Sequence, residues 1–267
     1  MFPTLLRFGG IHIYSYGLML FIAFIVGIWQ VERRAKKFGV KPQQVTDLAL
    51  VVLVSVIVGS RLFYVAFHWQ EFEHDLIGII AFWRGGLAGL MFYGGFIAGI
   101  VTGFVYGGWI QKLPKLKMLD AIAPAIVLGE GFTRIGCFLN GCCFGKPTSG
   151  PLGMVFPVNS PAGSVFEGQP IHPTQLYSSL AGFVLFFIAT RLEKRHLKEG
   201  VLMSLLLILY SLFRFLIDFV RYYENSSNLW GNQIVALGLT ALGVVLLVIF
   251  QSRKQATHHG AGTGSAG

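Results

Sequence analysis

Long apolar stretches, separated by short segments rich in charge or in glycine and proline, run along most of the 267-residue chain. A helix needs roughly 20 apolar residues to cross a bilayer core about 30 Å thick. Stretches of about this length lie near residues 14–31, 44–67, 86–110, 119–140, 173–192, 201–221 and 232–251. The pattern predicts an all-α integral membrane protein with seven transmembrane helices. They form a single membrane domain, residues 1–254, and the low-complexity end, 255–267, is expected to be a disordered tail.

The basic residues are distributed unevenly between the connections. Of the 21 basic residues, fourteen fall on alternate connections or the tail: Arg33, Arg34, Lys36, Lys37, Lys41, Lys112, Lys115, Lys117, Arg191, Lys194, Arg195, Lys198, Arg253 and Lys254. Cytoplasmic connections of membrane proteins carry an excess of lysine and arginine, so the N-terminus is predicted outside and the C-terminus in the cytoplasm. The basic residues behind the formal charge of +9 are thus explained by the orientation of the chain in the membrane. We therefore expect no nucleic-acid partner.

The other connections form an irregular extracytoplasmic region, expected at about residues 68–85, 141–172 and 222–231. The middle connection contains five prolines before Pro173. Proline cannot donate a backbone hydrogen bond, and irregular backbone is not tolerated against lipid. This segment is therefore predicted to lie outside the membrane, over one end of the helices.

Three arginines, Arg61, Arg134 and Arg214, fall within or just inside the ends of apolar stretches. A central arginine costs roughly 2.5–3.5 kcal/mol on insertion scales, so such residues are functional candidates. The alternative is that each arginine reaches the interface or pairs with a carboxylate. Glu130 lies one helical turn before Arg134, at a spacing that permits such a pair.

The sixth stretch carries Tyr210, Arg214, Asp218 and Arg221, which share one face at helical periodicity. Two guanidinium groups against one carboxylate leave a positive surplus. The face is predicted to bind an anion while Asp218 orients an arginine. The alternative is a self-contained ladder of ion pairs that holds helices together.

The third and fourth stretches contain spaced glycines. Gly95, Gly99, Gly103 and Gly107 recur every four residues, a pattern that permits close helix contact. The fourth stretch ends in RIGCFLNGCCFGKPT, where glycines allow the backbone to turn and Asn140 offers both donors and acceptors.

Cys137, Cys142 and Cys143 allow three interpretations. Their spacing does not match the paired CxxC pattern of zinc sites, so no metal is expected. A redox role is a second interpretation, because the outer face of many bacteria is oxidising. The third, which the spacing favours, is that the thiols pack as small polarisable groups at a helix end.

These motifs resemble those of the bacterial phosphatidylglycerol–prolipoprotein diacylglyceryl transferase family. The resemblance covers nearly the whole chain, in SYGLMLFIAFIVGIW, SRLFYVAFHW, GLMFYGGFIAG, RIGCFLNGCCFGKPT, HPTQLYSSL and ILYSLFRFLIDFVR. It implies a seven-helix protein of the bacterial cytoplasmic (inner) membrane. It also implies transfer of diacylglyceryl from phosphatidylglycerol to the lipobox cysteine of a prolipoprotein signal peptide, with release of glycerol phosphate and no cofactor.

The resemblance also implies roles for individual residues. The essential arginines match Arg134 and Arg214, and Tyr93 stands where many members have a histidine proposed as a base. The implied substrate contacts are Arg134, Tyr16, Gly94, Gly95, Asn140, Gly145, Tyr210, Asp218 and Arg221. Cys137 and Cys142 replace an asparagine and an acid of well-known members, so their side chains are not the common mechanism.

The expected mechanism is that Arg134 and Arg214 grip the lipid phosphate while sulfur displaces it, and that Asp218 and Tyr210 hold Arg214 in place. A membrane transporter of an anionic lipid or small anion is the alternative, because buried arginines and a polar helix face would serve it too.

Overall fold

The computed structural model describes residues 4–8, 11–73, 76–80, 90–195 and 197–253. Its strands are β1 (Thr4–Phe8) and β2 (Ile11–Tyr14); its helices are α1 (Ser15–Ala35), α2 (Pro42–Phe67), α3 (Trp69–Phe72), α4 (Leu76–Ile80), α5 (Phe92–Thr102), α6 (Lys115–Asn140), α7 (Pro161–Val165), α8 (Thr174–Leu192), α9 (Val201–Ile217) and α10 (Ser226–Ser252). Helix α5 continues as π-helix over Gly103–Ile110. Residues 81–89, where the third stretch was predicted to begin, and the predicted tail at 255–267 lie outside the described residues.

Six helical segments of the described chain are long and apolar enough to cross a membrane: Ser15–Phe38, Pro42–Phe67, Tyr93–Ile110, Lys115–Asn140, Thr174–Arg195 and Ser227–Ser252. The chain is therefore a multi-pass membrane protein. The remaining predicted span is the 17-residue helix α9, which is roughly 26 Å long at 1.5 Å per residue. That length is slightly less than the hydrocarbon thickness.

Four predicted boundaries and one element type differ from the structure. Helix α1 ends at Ala35 rather than at residue 31, and α6 begins at Lys115 rather than at 119. Helix α9 ends at Ile217 rather than at residue 221, and α10 begins at Ser226 rather than at 232. The polar residues of SSNLWGNQ hid the start of α10 from hydropathy. The all-α prediction also missed the short antiparallel hairpin of β1 and β2, which precedes α1.

Helix α6 lies at the centre of the bundle and packs against α1 and α8, while α9 packs against α10 and α2 against α5. The contact between α2 and α5 depends on glycine. A Cβ atom on Gly94 would overlap the carbonyl oxygen of Gly59, and one on Gly95 would overlap the hydroxyl of Ser60. The predicted glycine seam is thus confirmed at Gly95 and at Gly99, which faces Val56, but a Cβ atom on Gly103 would meet no atom within 4 Å.

One end of the bundle is closed by ion pairs and caps. Arg34 donates from Nε to Glu193 at 3.1 Å. Asp120 accepts hydrogen bonds from the backbone N–H groups of Gly200 and Met203, at 2.7 and 2.9 Å. It thereby satisfies donors that the first turn of α9 would otherwise leave unpaired. We call this the basic end.

The irregular segment predicted at 141–172 folds over the opposite end and has a small core of its own. Phe156, Ala162 and Ile171 are almost completely buried there. Isolated backbone bridges pair Ile171 with Pro147 and Met154. The segment is irregular, as predicted, but packed. We call this opposite end, which contains residues 137–146, the cysteine end.

Candidate functional site

Arg134 belongs to a hydrogen-bonded group that joins α6 to α9. Its Nε donates to Glu130 Oε1 at 2.8 Å, and the same oxygen accepts from the Tyr210 hydroxyl at 3.1 Å. The i, i+4 spacing of Glu130 and Arg134 places both side chains on one face of α6. The pairing predicted as an alternative therefore exists. Tyr210 contacts Glu130 rather than Arg214, which corrects the expectation that it would hold Arg214.

Arg214 belongs to a second group, one helical turn beyond Tyr210. Its Nη1 lies 2.9 Å from Asp218 Oδ1, and its Nη2 donates to the Tyr223 hydroxyl at 2.9 Å. Tyr223 in turn donates to Asp218 Oδ1 at 2.8 Å. Burial and the bond to Asp218 raise the pKa of Tyr223, so its hydroxyl stays protonated and donates. Asp218 orients Arg214, as predicted.

Tyr210 belongs to the first group, but the charges of both Arg134 and Arg214 act on its hydroxyl. The two arginine side chains are 16% and 21% exposed, while Asp218 is fully buried. Within the described residues the Arg134 guanidinium donates only through Nε, and that of Arg214 only through its two terminal nitrogens. Each arginine is therefore fixed by a carboxylate and keeps N–H donors for a ligand.

Arg221 does not share the helical face predicted for it. Because α9 ends at Ile217, Arg221 lies in the following segment, where it forms a backbone bridge with Gly145. Its charge nevertheless acts on Cys143, as does that of Arg134. Counting Glu130 and Asp218, three arginines face two carboxylates, so one positive charge remains to favour an anion.

The backbone at the end of α6 turns sharply. Gly141 has a left-handed φ of 76°, and Cys143, a non-glycine residue, has a φ of 61°. Two side chains of α8 hold this turn, because Gln175 donates to the Cys142 carbonyl at 2.7 Å and Thr174 to the Cys143 carbonyl at 2.9 Å. The turn brings the sulfur atoms of the three cysteines within 4.8 Å of one another.

Tyr16 and Asn140, two of the substrate contacts that the resemblance implies, lie beside this turn. A Cβ atom on Gly136 would approach the Tyr16 ring at 3.3 Å, so Tyr16 packs over that part of α6. The charge of Arg134 acts on the Tyr16 hydroxyl, and the three cysteines lie near it. The Asn140 side chain interacts with the Cys142 thiol.

Gly145 is packed too closely for any side chain. Its N–H donates to the His172 carbonyl at 3.0 Å. A Cβ atom would lie 2.7 Å from that carbonyl oxygen and 2.8 Å from Thr174. The structure thus gives Gly145 a packing role that explains why glycine is needed.

The structure locates Tyr93 and its glycines in α5, which packs along α2. The Tyr93 side chain is 69% exposed, whereas Gly94 and Gly95 are buried at the α2 contact. The two glycines therefore have a packing role, and none of the described contacts joins them to the arginine groups. Tyr93 stays a sequence prediction.

Arg61 differs from the other two intramembrane arginines. It donates to the carbonyls of Gly78 and Ile79 at 2.6 and 3.1 Å. Its guanidinium also lies over the rings of Tyr64 and Phe72. This arginine fastens the short helix α4 to the end of α2, so the structural interpretation fits it better than ligand binding.

Sequence reasoning missed three contributors to the site: Tyr223, Gln175 and the second role of Glu130 as acceptor for Tyr210. Tyr223 lies beyond the helix, where periodicity carries no information. Gln175 stood within the HPTQLY motif, but its partner carbonyl is 33 residues away in sequence. Of these three contributors, only Glu130 had a signal in the sequence, namely its spacing of four residues before Arg134.

Comparison with known proteins gives consistent matches over nearly the whole length. The sequence model of a family described as prolipoprotein diacylglyceryl transferase matches residues 3–249. A phosphatidylglycerol–prolipoprotein diacylglyceryl transferase of Clostridium tetani is 32% identical over 257 residues, covering 96% of this chain and 100% of the relative. A protein of the same name from Thermosynechococcus vestitus is 33% identical over 244 residues, covering 89% of this chain and 88% of the relative. Another, from Vibrio parahaemolyticus, is 32% identical over 255 residues, covering 92% of this chain and 89% of the relative.

Proposed function

The chain belongs to the prolipoprotein diacylglyceryl transferase family, and we propose that it transfers diacylglyceryl from phosphatidylglycerol to the lipobox cysteine of prolipoproteins. It is a transferase of lipoprotein biosynthesis. The observation that supports the proposal is that Arg134 and Arg214, each fixed by its own carboxylate, both act through their charges on the Tyr210 hydroxyl.

The reaction moves negative charge from sulfur to phosphate. The lipobox thiol loses its proton, and its sulfur attacks the glyceryl carbon that carries the phosphate. The carbon–oxygen bond breaks, its electron pair stays on the phosphate oxygen, and glycerol phosphate leaves while a thioether forms. A free thiol has a pKa of about 8.5, and the second pKa of a phosphate monoester is about 6. The leaving phosphate is thus the better place for the charge.

Arg134 and Arg214 are proposed to bind this phosphate together. Donors aimed at an oxygen that gains charge bind the transition state more tightly than the ground state, which raises the rate. Arginine suits the task because its planar fork can make two parallel hydrogen bonds to phosphate. Low dielectric near the bundle strengthens these bonds.

The remaining predicted residues are proposed to surround the headgroup and the incoming peptide. Tyr16 lies near Arg134 and Asn140 lies beside Cys142, and both would contact the glycerol or the thiol. Arg221 supplies the surplus positive charge. Tyr93 is proposed to act from the exposed side of α5, where a lipid or a signal peptide can reach it.

We also propose that α9 crosses the bilayer, which gives seven spans with the N-terminus outside and the C-terminus in the cytoplasm. The basic end would then face the cytoplasm, in agreement with the positive-inside rule. The cysteine end would face outward in the inner membrane, on the side where a signal peptide is exported. Fusing a reporter that is active only in the cytoplasm after residue 253 tests this orientation; an inactive, full-length fusion would contradict it.

The activity test uses purified protein in vesicles that contain phosphatidylglycerol labelled in its headgroup. Glycerol phosphate should be released only when a peptide with a lipobox cysteine is added, and the peptide should gain the mass of diacylglyceryl. A peptide with serine in place of that cysteine is the matched control. Movement of intact lipid or of an anion across the vesicle, without product, would instead support the transporter.

A further inference from the structure

The thiols of Cys137, Cys142 and Cys143 form a cluster that the transfer reaction does not use. All three sulfur atoms lie within 4.8 Å of one another, although residues 137 and 142 belong to different elements. These are the chain's three cysteines. Cys137 is buried on α6, while Cys142 and Cys143 are partly exposed in the turn that follows.

The separation of the sulfur atoms is compatible with a common metal ion. A zinc–sulfur bond is about 2.3 Å long, so two sulfurs on one tetrahedral ion lie about 3.8 Å apart. Trigonal coordination separates them by about 4.0 Å, for bonds of the same length. The sulfur atoms, all within 4.8 Å of one another, therefore need to approach by no more than about 1 Å to reach these distances.

The backbone holds the thiols in a conformation that the residues would not prefer alone. Cys143 has a left-handed φ of 61°, which is uncommon for any residue with a Cβ atom. The hydrogen bonds from Thr174 and Gln175 to the carbonyls of Cys143 and Cys142 fix it there. The cluster is therefore pre-arranged by α8 and does not need an ion to form.

The surroundings also suit a group of thiolates. The charges of Arg134 and Arg221 act on Cys143 and offset the negative charge that three thiolates would bring. Sulfur ligands select zinc and monovalent copper, whereas magnesium and calcium require oxygen ligands. The partial exposure of Cys142 and Cys143 gives an ion a route from the surface.

We propose that Cys137, Cys142 and Cys143 form a three-thiolate site for a thiophilic d¹⁰ cation, Zn²⁺ or Cu⁺. The bound ion ties the end of α6 to the turn held by α8. With zinc, the fourth coordination position is left for a water or a further ligand. Metal binding requires neither lipid nor peptide, so it can be measured separately from the proposed transfer reaction.

The test measures metal binding by the full chain in detergent, without substrates. Metal-free protein is titrated with Zn²⁺ and, under reducing conditions, with Cu⁺, each against a competing chelator, and Co²⁺ serves as a spectroscopic probe of thiolate ligation. We expect one ion per chain, metal–sulfur distances of about 2.3 Å by X-ray absorption, and a higher melting temperature with the ion bound.

Single Cys142→Ser and Cys143→Ser variants should bind at least about 100-fold more weakly, because even groups that merely orient ligands contribute 10–100-fold to affinity. His172→Gln, a nearby imidazole outside the cluster, should bind as the unchanged chain does. Size-exclusion profiles confirm that each variant is folded.

Three results would overturn the proposal. One is a chain that retains neither metal while folded. Another is equal binding by a variant with all three cysteines replaced by serine. The third result is a disulfide between two of these cysteines, found when thiols and disulfides are quantified in protein purified without reductant. It would assign the cluster to redox chemistry instead.

Discussion

The two ends of the helical bundle both contain buried arginines, but they use them differently. At the basic end, Arg34 donates to Glu193 and to the side chain and carbonyl of Gln30, so both Nε and Nη1 are occupied. At the cysteine end, Arg134 bonds to one carboxylate through Nε alone. Within the described residues Arg34 makes three such hydrogen bonds, whereas Arg134 makes one and Arg214 two, so the arginines of the cysteine end keep more N–H donors for a ligand.

The carboxylates differ in the same way. Glu193 accepts from two cations, Arg34 and Lys37, and so closes the basic end. Glu130 and Asp218 each accept from one arginine and one tyrosine hydroxyl. This arrangement fixes the direction of each guanidinium without neutralising Arg221 as well. The comparison predicts that equal substitutions at the two ends will have opposite consequences.

The largest difference is expected between Arg214→Lys and Arg34→Lys. Lysine keeps the charge but loses the planar fork, so Arg214→Lys should lower transfer of labelled lipid by about 100-fold or more with little change in melting temperature. Arg34→Lys should lower the melting temperature and leave transfer per folded molecule nearly unchanged. Near-normal transfer by Arg214→Lys, at equal protein in the membrane, would contradict the comparison.

A smaller effect is expected from Tyr223→Phe, because this hydroxyl joins Arg214 to Asp218. Losing a hydrogen bond to a charged group costs about 1.5–3 kcal/mol, so turnover should fall by about 10-fold or more. Tyr222→Phe is the matched control, because the Tyr222 ring stacks on that of Phe144, with the ring centroids 5.5 Å apart, and this stacking does not depend on the hydroxyl. If both variants behave alike, Tyr223 does not position Arg214.

Tyr93→Phe tests whether the exposed side of α5 takes part in the reaction. If Tyr93 exchanges a proton or contacts the headgroup, its loss should reduce turnover and change the dependence of turnover on pH. Ala98→Ser, on the same helix and near Gly59, is a control for changes in the α2 contact. A fully active Tyr93→Phe variant with an unchanged pH profile would limit this tyrosine to packing.

The smallest effect on chemistry, but a clear one on stability, is expected from Gly145→Ala. The new methyl group would overlap the His172 carbonyl, which should destabilise the protein by about 1–3 kcal/mol and lower its yield. At Gly150 the nearest atom to an added Cβ is the Thr148 hydroxyl at 3.3 Å, so Gly150→Ala should be tolerated. Equal melting temperatures for the two variants would show that Gly145 is not tightly packed.

Hydropathy predicted the helices well because burial in lipid imposes a strong length constraint. It failed where polar residues end a helix. Helical periodicity placed Asp218 and Arg221 on one face with Arg214, but α9 ends at Ile217 and the backbone of Arg221 pairs with that of Gly145. A contact between residues 76 positions apart leaves no trace in local periodicity.

The candidate site likewise contains some contacts that the sequence predicts and others that only the folded chain creates. The i, i+4 pairs of Glu130 with Arg134 and of Arg214 with Asp218 were readable from spacing. The thiol cluster was not, because it depends on the left-handed backbone of Cys143 and on bonds from α8. Spacing alone indicated packing, and only the folded turn brings the three sulfur atoms together.

The most direct test of the account is an experimental structure of the protein with a non-reacting ether analogue of phosphatidylglycerol bound. The account predicts one lipid phosphate whose oxygens lie about 2.7–2.9 Å from nitrogens of both Arg134 and Arg214. A phosphate held by only one of these arginines, or bound away from Tyr210, would contradict it.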